Sequence, residues 1–195
     1  MSGPSPRSEP SSLGGLPPSG EPSPTEGATP FEGGRFLVDR MLGPLVRYLR
    51  FMGYDTLAAT ELGPGGPGED SALLRLAAAE GRVLLTRDRE LAGRGGVLVE
   101  GDDVLEQVDW LTRAGFVEPV LRLDRCSRCN TLLRRARAEE ITAATYLPVD
   151  GTPREFFRCD SCGRLYWAGS HADRLAERLA GASCRLESRR SGQSR

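Results

Sequence analysis

Apolar residues first gather at Phe36-Leu37-Val38, a short continuous run that ends in the carboxylate of Asp39. Short unbroken apolar runs of this kind predict strands buried on both faces of a parallel sheet. Leu45, Tyr48, Leu49 and Met52 then recur at helical spacing, with Pro44 in the first turn and Gly53 past the end, which predicts a helix over residues 43–51. Tyr54-Asp55-Thr56-Leu57-Ala58 reads as a second strand. A Gly/Pro loop, residues 63–68, leads to Glu69-Asp70-Ser71, the expected cap of a helix from about Ala72 to Glu80, and Gly81 stops it. Val83-Leu84-Leu85-Thr86 is a third strand, followed by Arg87-Asp88-Arg89-Glu90 and a short helix. Val97-Leu98-Val99 is a fourth strand, and residues 103–114 a further helix.

Strands and helices alternating in this way predict an α/β fold, a parallel sheet with helices on both faces, over about residues 35–120. Ligands of such sheets bind beyond the carboxyl ends of the strands. After Arg122 the pattern changes to loops around two Cys-x-x-Cys pairs and a last helix at about 171–180, so residues 121–180 read as a separate small module. Residues 181–195 read as a loose polar tail.

Composition changes the picture at the N-terminus. Residues 1–35 hold eight of the 14 prolines, seven glycines and seven serines, with almost no large apolar side chain. Residues 1–34 therefore bury too little surface to offset the entropy of ordering them, and disorder is expected. The basic start and apolar run of a signal peptide are missing, as is any apolar stretch of about 18 residues, so the expected compartment is the cytoplasm, without membrane contact.

Charge is divided along the chain. Nine arginines face fourteen carboxylates in residues 36–120 (−5), whereas fifteen face nine in residues 121–195 (+6). All 26 basic residues are arginine, a bias of the kind a GC-rich genome produces, although arginine also grips phosphate bidentately. An acidic half joined to a basic half fits an enzyme that holds cations in one place and a polyanion in another. Arg134, Arg135 and Arg137 are the densest cationic run of the second half and the expected contacts to a polyanion.

Cys126-Ser-Arg-Cys129 and Cys159-Asp-Ser-Cys162 lie 29 residues apart, 130 to 158. Each pair offers two thiolates at about 2.3 Å to a tetrahedral ion, and two pairs close a four-sulfur site with no open position, as structural zinc requires. Gly163 follows the second pair, where a knuckle needs a positive backbone angle. Redox pairs and disulfides use the same residues but expect a helix start after a strand, or an oxidising compartment. Cys184 has no partner in this scheme.

The carboxylates that stand out are Asp39, Glu69, Asp70, Asp88 and Glu90. Asp39 and Asp88 come at or just past strand ends, and Glu69 and Asp70 at a helix start, so a parallel sheet can bring them to one edge. Carboxylates clustered there repel unless a hard cation such as magnesium or manganese lies between them. One or two such ions activate water and stabilise the leaving oxygen of a phosphodiester. Bland roles compete: Asp70 and Asp88 are also helix-capping types, and Glu90 is a surface type. Asp39 is harder to dismiss, since a carboxylate after Phe-Leu-Val is costly unless paired or metal-bound. His171 is the one histidine, which leaves little material for Ser-His or Cys-His chemistry. The Gly63–Gly68 loop lacks the Gly-Lys-Ser/Thr of a P-loop.

Three segments together resemble the Mut-seven C-terminal RNase family: Phe36-Leu-Val-Asp-Arg-Met-Leu-Gly43, Arg47-Tyr-Leu-Arg-Phe-Met-Gly-Tyr-Asp-Thr56 and Arg82-Val-Leu-Leu-Thr-Arg-Asp-Arg-Glu-Leu91. The two knuckles and Tyr166-Trp-Ala-Gly-Ser-His171 extend the likeness over roughly residues 35–180. The resemblance implies a PIN-like nuclease domain followed by a zinc ribbon. It also implies a metal-dependent ribonuclease with Asp39, Glu69/Asp70 and Asp88 on the acidic-cluster positions. Thr86-x-Asp88-x-Glu90 is similar to the Thr-x-Asp-x-Asp signature of PIN nucleases, with glutamate in place of the last aspartate.

The expected function is thus hydrolysis of RNA, with Asp39 and Asp88 as principal magnesium or manganese ligands and Asp70 completing the site. Glu69 and Glu90 stand beside them, and Arg40, Arg47 and Arg87 lie near enough to meet phosphates. The competing class is a non-catalytic RNA-binding or ribosome-associated zinc-ribbon protein. A phosphatase on a similar sheet would want a second acid two residues after Asp39, where Met41 stands.

Overall fold

The computed structural model describes residues 34–147, 154–170 and 172–181. The expected disorder of residues 1–34, except Gly34, falls outside them, as do His171, Cys184 and most of the expected tail.

Four strands form one parallel sheet: β1 (Arg35–Val38), β2 (Asp55–Ala58), β3 (Val83–Thr86) and β4 (Val97–Leu98), in the order β2-β1-β3-β4. Register pairs Val38 with Ala58 on one side and with Leu85 on the other. The period-two rule of a strand then sorts the side chains. Phe36, Val38 and Leu85 join Leu45, Leu49, Val108 and Leu111 on one face, under α1 (Gly43–Phe51) and α4 (Val104–Arg113). Leu37 and Leu84 join Leu73, Ala77 and Leu91 on the other, under α2 (Glu69–Glu80) and α3 (Arg89–Gly93). Apolar residues on both faces explain why the strand runs were unbroken.

The sequence places these elements to within a few residues, and the helix starts differ for a definable reason. α2 begins at Glu69 rather than Ala72, because Gly68 turns the chain at φ 82° and leaves Glu69 and Asp70 inside the first turn. There the two acids face the positive end of the helix dipole. α4 is capped by Asp103, which accepts from the backbone N–H groups of Leu105 and Glu106. Gly101, at φ 112°, lies against the start of α4 so closely that an added Cβ would come within 2.9 Å of the Gln107 amide nitrogen.

The second half holds more regular structure than the expected loops. β5 (Leu133–Arg135), β6 (Phe156–Cys159) and β7 (Leu165–Trp167) form an antiparallel sheet, and α5 (Ala138–Thr142) follows β5. These strands are short and mix arginine with aromatics, so they carry little period-two signal. The last helix, α6, covers residues 172–181.

Packing crosses the expected division at residue 120. Leu179 of α6 is fully buried in the core cluster of the parallel sheet, with Leu175 against it. The Arg178 guanidinium lies 6.0 Å from the centre of the Tyr48 ring on α1, a cation–π distance. In the other direction, Phe51 at the end of α1 packs into the cysteine cluster. Among the described residues no helix is long and apolar enough to cross a membrane.

Candidate functional site

The two Cys-x-x-Cys pairs fold as near copies. Asn130 N–H donates to the Cys126 carbonyl at 2.9 Å and Gly163 N–H to the Cys159 carbonyl at 2.8 Å. Cys126 N–H donates to Thr131 O at 2.9 Å, as Cys159 N–H does to Arg164 O at 3.0 Å. The residue that closes each knuckle has a positive φ, 61° at Asn130 and 71° at Gly163. Glycine signals such a turn openly; asparagine, the commonest non-glycine residue in this conformation, signals it more faintly. Thr131 and Ser161 hydroxyls meet at 2.8 Å and join the copies.

The four Sγ atoms lie within 4.8 Å of one another, with Cys126 and Cys162 at 3.8 Å. Zinc–sulfur bonds of about 2.3 Å at tetrahedral angles demand a sulfur–sulfur edge of about 3.8 Å. The donor set therefore fits a tetrahedral metal such as zinc. Burial pushes the Cys126 thiol up, but the Tyr166 hydroxyl and the Cys129 and Arg128 amides outweigh it and bring its pKa down to about 6. Burial and the neighbouring thiols push Cys129 up to about 12. Four sulfurs this close resist ionising together until a cation joins them. Tyr166 Oη lies 3.1 Å from Cys126 Sγ and accepts from Ser127 N–H, so one ring fixes the first knuckle from the third strand of its sheet.

The acidic residues occupy the carboxyl edge of the parallel sheet. Thr86, the last residue of β3, is fully buried and organises two of them. Its hydroxyl donates to Asp39 Oδ2 at 2.7 Å and accepts from Asp88 N–H at 2.9 Å. Asp39 also accepts from Arg40 N–H at 2.6 Å and is half-buried. Asp88 is exposed and caps α3, with Oδ1 accepting from the amides of Glu90 and Leu91. Capping and clustering at the edge are thus compatible, because the cap engages one oxygen.

Glu69 and Asp70 reach the same edge on the first turn of α2, but arginines hold them. Arg40 pairs with Glu69 at 2.7 Å and donates to the Gly63 carbonyl at 2.5 Å. Arg94 lies 3.7 Å from Asp70 and donates to Ser71 Oγ at 2.7 Å. The Glu90 carboxylate is exposed and has no partner among the described residues. There the four thiols form the compact group of potential metal ligands, while the carboxylates stand further apart.

The arginines singled out from sequence divide similarly. Arg87 approaches Asp102 at 3.4 Å, and Arg47 is exposed without an ion pair among the described residues. Arg134 is committed internally, to Glu140 at 2.6 Å and Asp160 at 2.8 Å, and Arg135 pairs with Glu155. Reversing Arg134 would therefore strike α5 and the second knuckle as well as an expected polyanion contact.

Two buried polar networks gave no recognisable sequence signal. Arg50, in the apolar stripe of α1, is 2% exposed and bonds four acceptor groups, treated below. At the amino edge of the sheet, Asp55 pairs with Arg82 at 2.9 Å and Arg35 at 3.2 Å and accepts from Asn130 Nδ2 at 2.7 Å.

The fold and its thiol cluster define an α/β protein carrying a four-cysteine module with the spacing to hold a metal ion. Residues 34–179 match the Mut7-C RNAse domain, three quarters of the chain, and the chain belongs to that family. No curated protein and no solved structure matches it.

Proposed function

We propose that this chain is a metal-dependent ribonuclease: a PIN-like nuclease domain, about residues 35–120, followed by a zinc ribbon. The observation that carries the reading is the Asp39–Thr86–Asp88 arrangement at the carboxyl edge of the sheet, the place where open α/β sheets bind ligands. Membership of an RNase domain family supports RNA as the substrate.

Asp39 and Asp88 would hold magnesium or manganese, since each keeps oxygen lone pairs beyond its internal bonds and both are hard donors. Asp70 completes the set directly or through water, with Glu69 and Glu90 at its margin. A divalent ion held there would lower the pKa of a bound water, so that the hydroxide it leaves could attack phosphorus, and would offset charge on the leaving oxygen. The protein's share is positional. Thr86 fixes both aspartates, Arg40 keeps Glu69 and Gly63 in place, and exposed Arg47 offers a phosphate contact. Cys126, Cys129, Cys159 and Cys162 hold structural zinc and leave no coordination position for chemistry. Four free thiols suit a reducing compartment, which supports the cytoplasm.

Cleavage of mixed RNA with magnesium or manganese tests the proposal beside Asp39→Asn. The asparagine keeps the shape and one of the two bonds that Asp39 accepts, from Thr86 or from Arg40 N–H, but removes one charge, so cleavage should fall by ~100-fold or more while RNA binding persists. RNA binding without cleavage by either protein would favour the non-catalytic reading, and equal cleavage by both would remove Asp39 from the site.

A further inference from the structure

Arg50 connects the two candidate sites. It lies in the apolar stripe of α1 between Leu49 and Phe51 and is 2% exposed, although a buried guanidinium is costly unless its donors are met. They are met from two directions. Nη1 donates to the carbonyls of Arg128 at 2.8 Å and Ser127 at 3.4 Å, the two residues inside the first knuckle. Nε and Nη2 donate to the Thr56 carbonyl at 3.0 and 2.7 Å, and Nη2 reaches both oxygens of Glu61 at 2.8 and 2.7 Å.

Glu61 ends a 3-10 turn (Ala59–Glu61) directly after β2 and also accepts from Ala58 N–H at 3.2 Å. From there the chain runs through Gly63, whose carbonyl Arg40 binds, to Glu69 and Asp70. The knuckle adds a second tie to the same strand: Asn130 Oδ1 accepts from Thr56 N–H at 3.0 Å, so Thr56 has both backbone groups engaged with this network. The residues that shape the thiol pocket and those that deliver the loop to the acidic edge thus share one buried cation.

We propose that Arg50 is a positioning residue through which metal in the four-thiol site holds the segment 56–68, and with it the carboxyl edge of the sheet, in place. Metal release frees the backbone at Ser127 and Arg128, removes two of the acceptors of Arg50, and loosens Glu61 and the loop behind it. Coupling of this kind is reciprocal, so weakening Glu61 must also weaken metal retention. The functional consequence for RNA cleavage rests on the reading of the acidic edge given above; the coupling itself does not.

The test uses the full chain loaded with zinc and needs no RNA. Amide exchange is followed with and without a chelator. Protection should fall in residues 56–68 as well as in 124–135, while β3 and α4 keep theirs. Unchanged protection over 56–68 after zinc loss overturns the proposal, and so does simultaneous loss everywhere, which would make zinc a clamp on the whole fold. Glu61→Gln, a change at a side chain 39% exposed that α1 and β2 should tolerate, should lower zinc affinity ~5-fold or more in equilibrium competition with a chelator. Arg113→Gln, remote on α4, should keep the parental affinity. Equal affinities for Glu61→Gln and the parent would show that Glu61 only caps its own turn. Cleavage lost in Asp39→Asn with these readouts unmoved would separate the two proposals.

Discussion

The thiols and the carboxylates are both gathered by the fold, but in opposite ways. The cysteines arrive as two short pairs whose own backbone bonds aim the sulfurs inward, and the group closes to the spacing of a tetrahedral ion. The carboxylates arrive singly, from two strand ends and one helix start. They stay partly exposed, with arginines paired to two of them. A structural site gains from closing fully around its ion, because the binding free energy then stabilises one geometry. A site that must admit substrate gains from open positions and from charges that can be exchanged. Rigidity and access are divided between the two ends of one chain.

The largest effect that could break this contrast is at a buried sulfur. Cys159→Ser should remove the ion and with it the order of β5–β7, because a structural zinc site contributes about 10 kcal/mol or more. Elemental analysis should fall from about one zinc per chain, and amide protection over 156–167 should collapse. Full protection without metal would make the thiols ordinary core residues. Next in size is Asp88→Asn, which separates the two duties of that side chain. Asparagine caps helices as well as aspartate, so thermal stability should change by no more than about 0.5 kcal/mol. Cleavage should nevertheless drop ~100-fold, as loss of a charge that acts at the reacting centre does. Equal losses of stability and activity would leave Asp88 as a cap alone.

The smallest effect concerns Asp55, where charge serves architecture only. Burial pushes its carboxyl up, but bonds from Arg82 and Asn130 and the Arg82 charge outweigh it, to about 2 from the ordinary 3.8. A lowered folded-state value means stability that is complete above the unfolded value and lost as pH falls from about 4 to about 2. Asp55→Asn should therefore cost about 1 kcal/mol at neutral pH, after allowance for solvent screening, and only a minor part of that near pH 2. Denaturant midpoints at the two pH values check it.

The parallel sheet was legible because its central strands, β1 and β3, are buried on both faces and every helix packed on it ends in glycine or begins at an acid. The thiol site was legible because its ligands sit at fixed local spacing. Asp39, Asp88 and the α2 acids could be placed on one edge by topology, but their arginine partners could not. Arg40 reaches Glu69 across 29 positions, and nothing in either neighbourhood announces the pair. Arg50 was hidden for a stronger reason. In an amphipathic helix an arginine reads as solvent-facing, and only the carbonyls of Ser127 and Arg128, far along the chain, make its burial tolerable. The ribbon strands were missed because three or four residues bearing arginine and aromatics carry no clear alternation.

The return of α6 to the first core bears on how the molecule is made. Synthesis delivers β1 to β4 and their helices early, yet the core cluster that receives Leu179 stays incomplete until α6 emerges. Through that interval the nascent chain carries an exposed apolar seam, and the knuckles that lock Arg50 from the other side are also still to come. The core of the α/β layer is therefore completed only when α6 packs onto it. A premature stop or a proteolytic cut before residue 172 would leave a product with an intact acidic edge and an unsealed core, a natural target for chaperones and proteases.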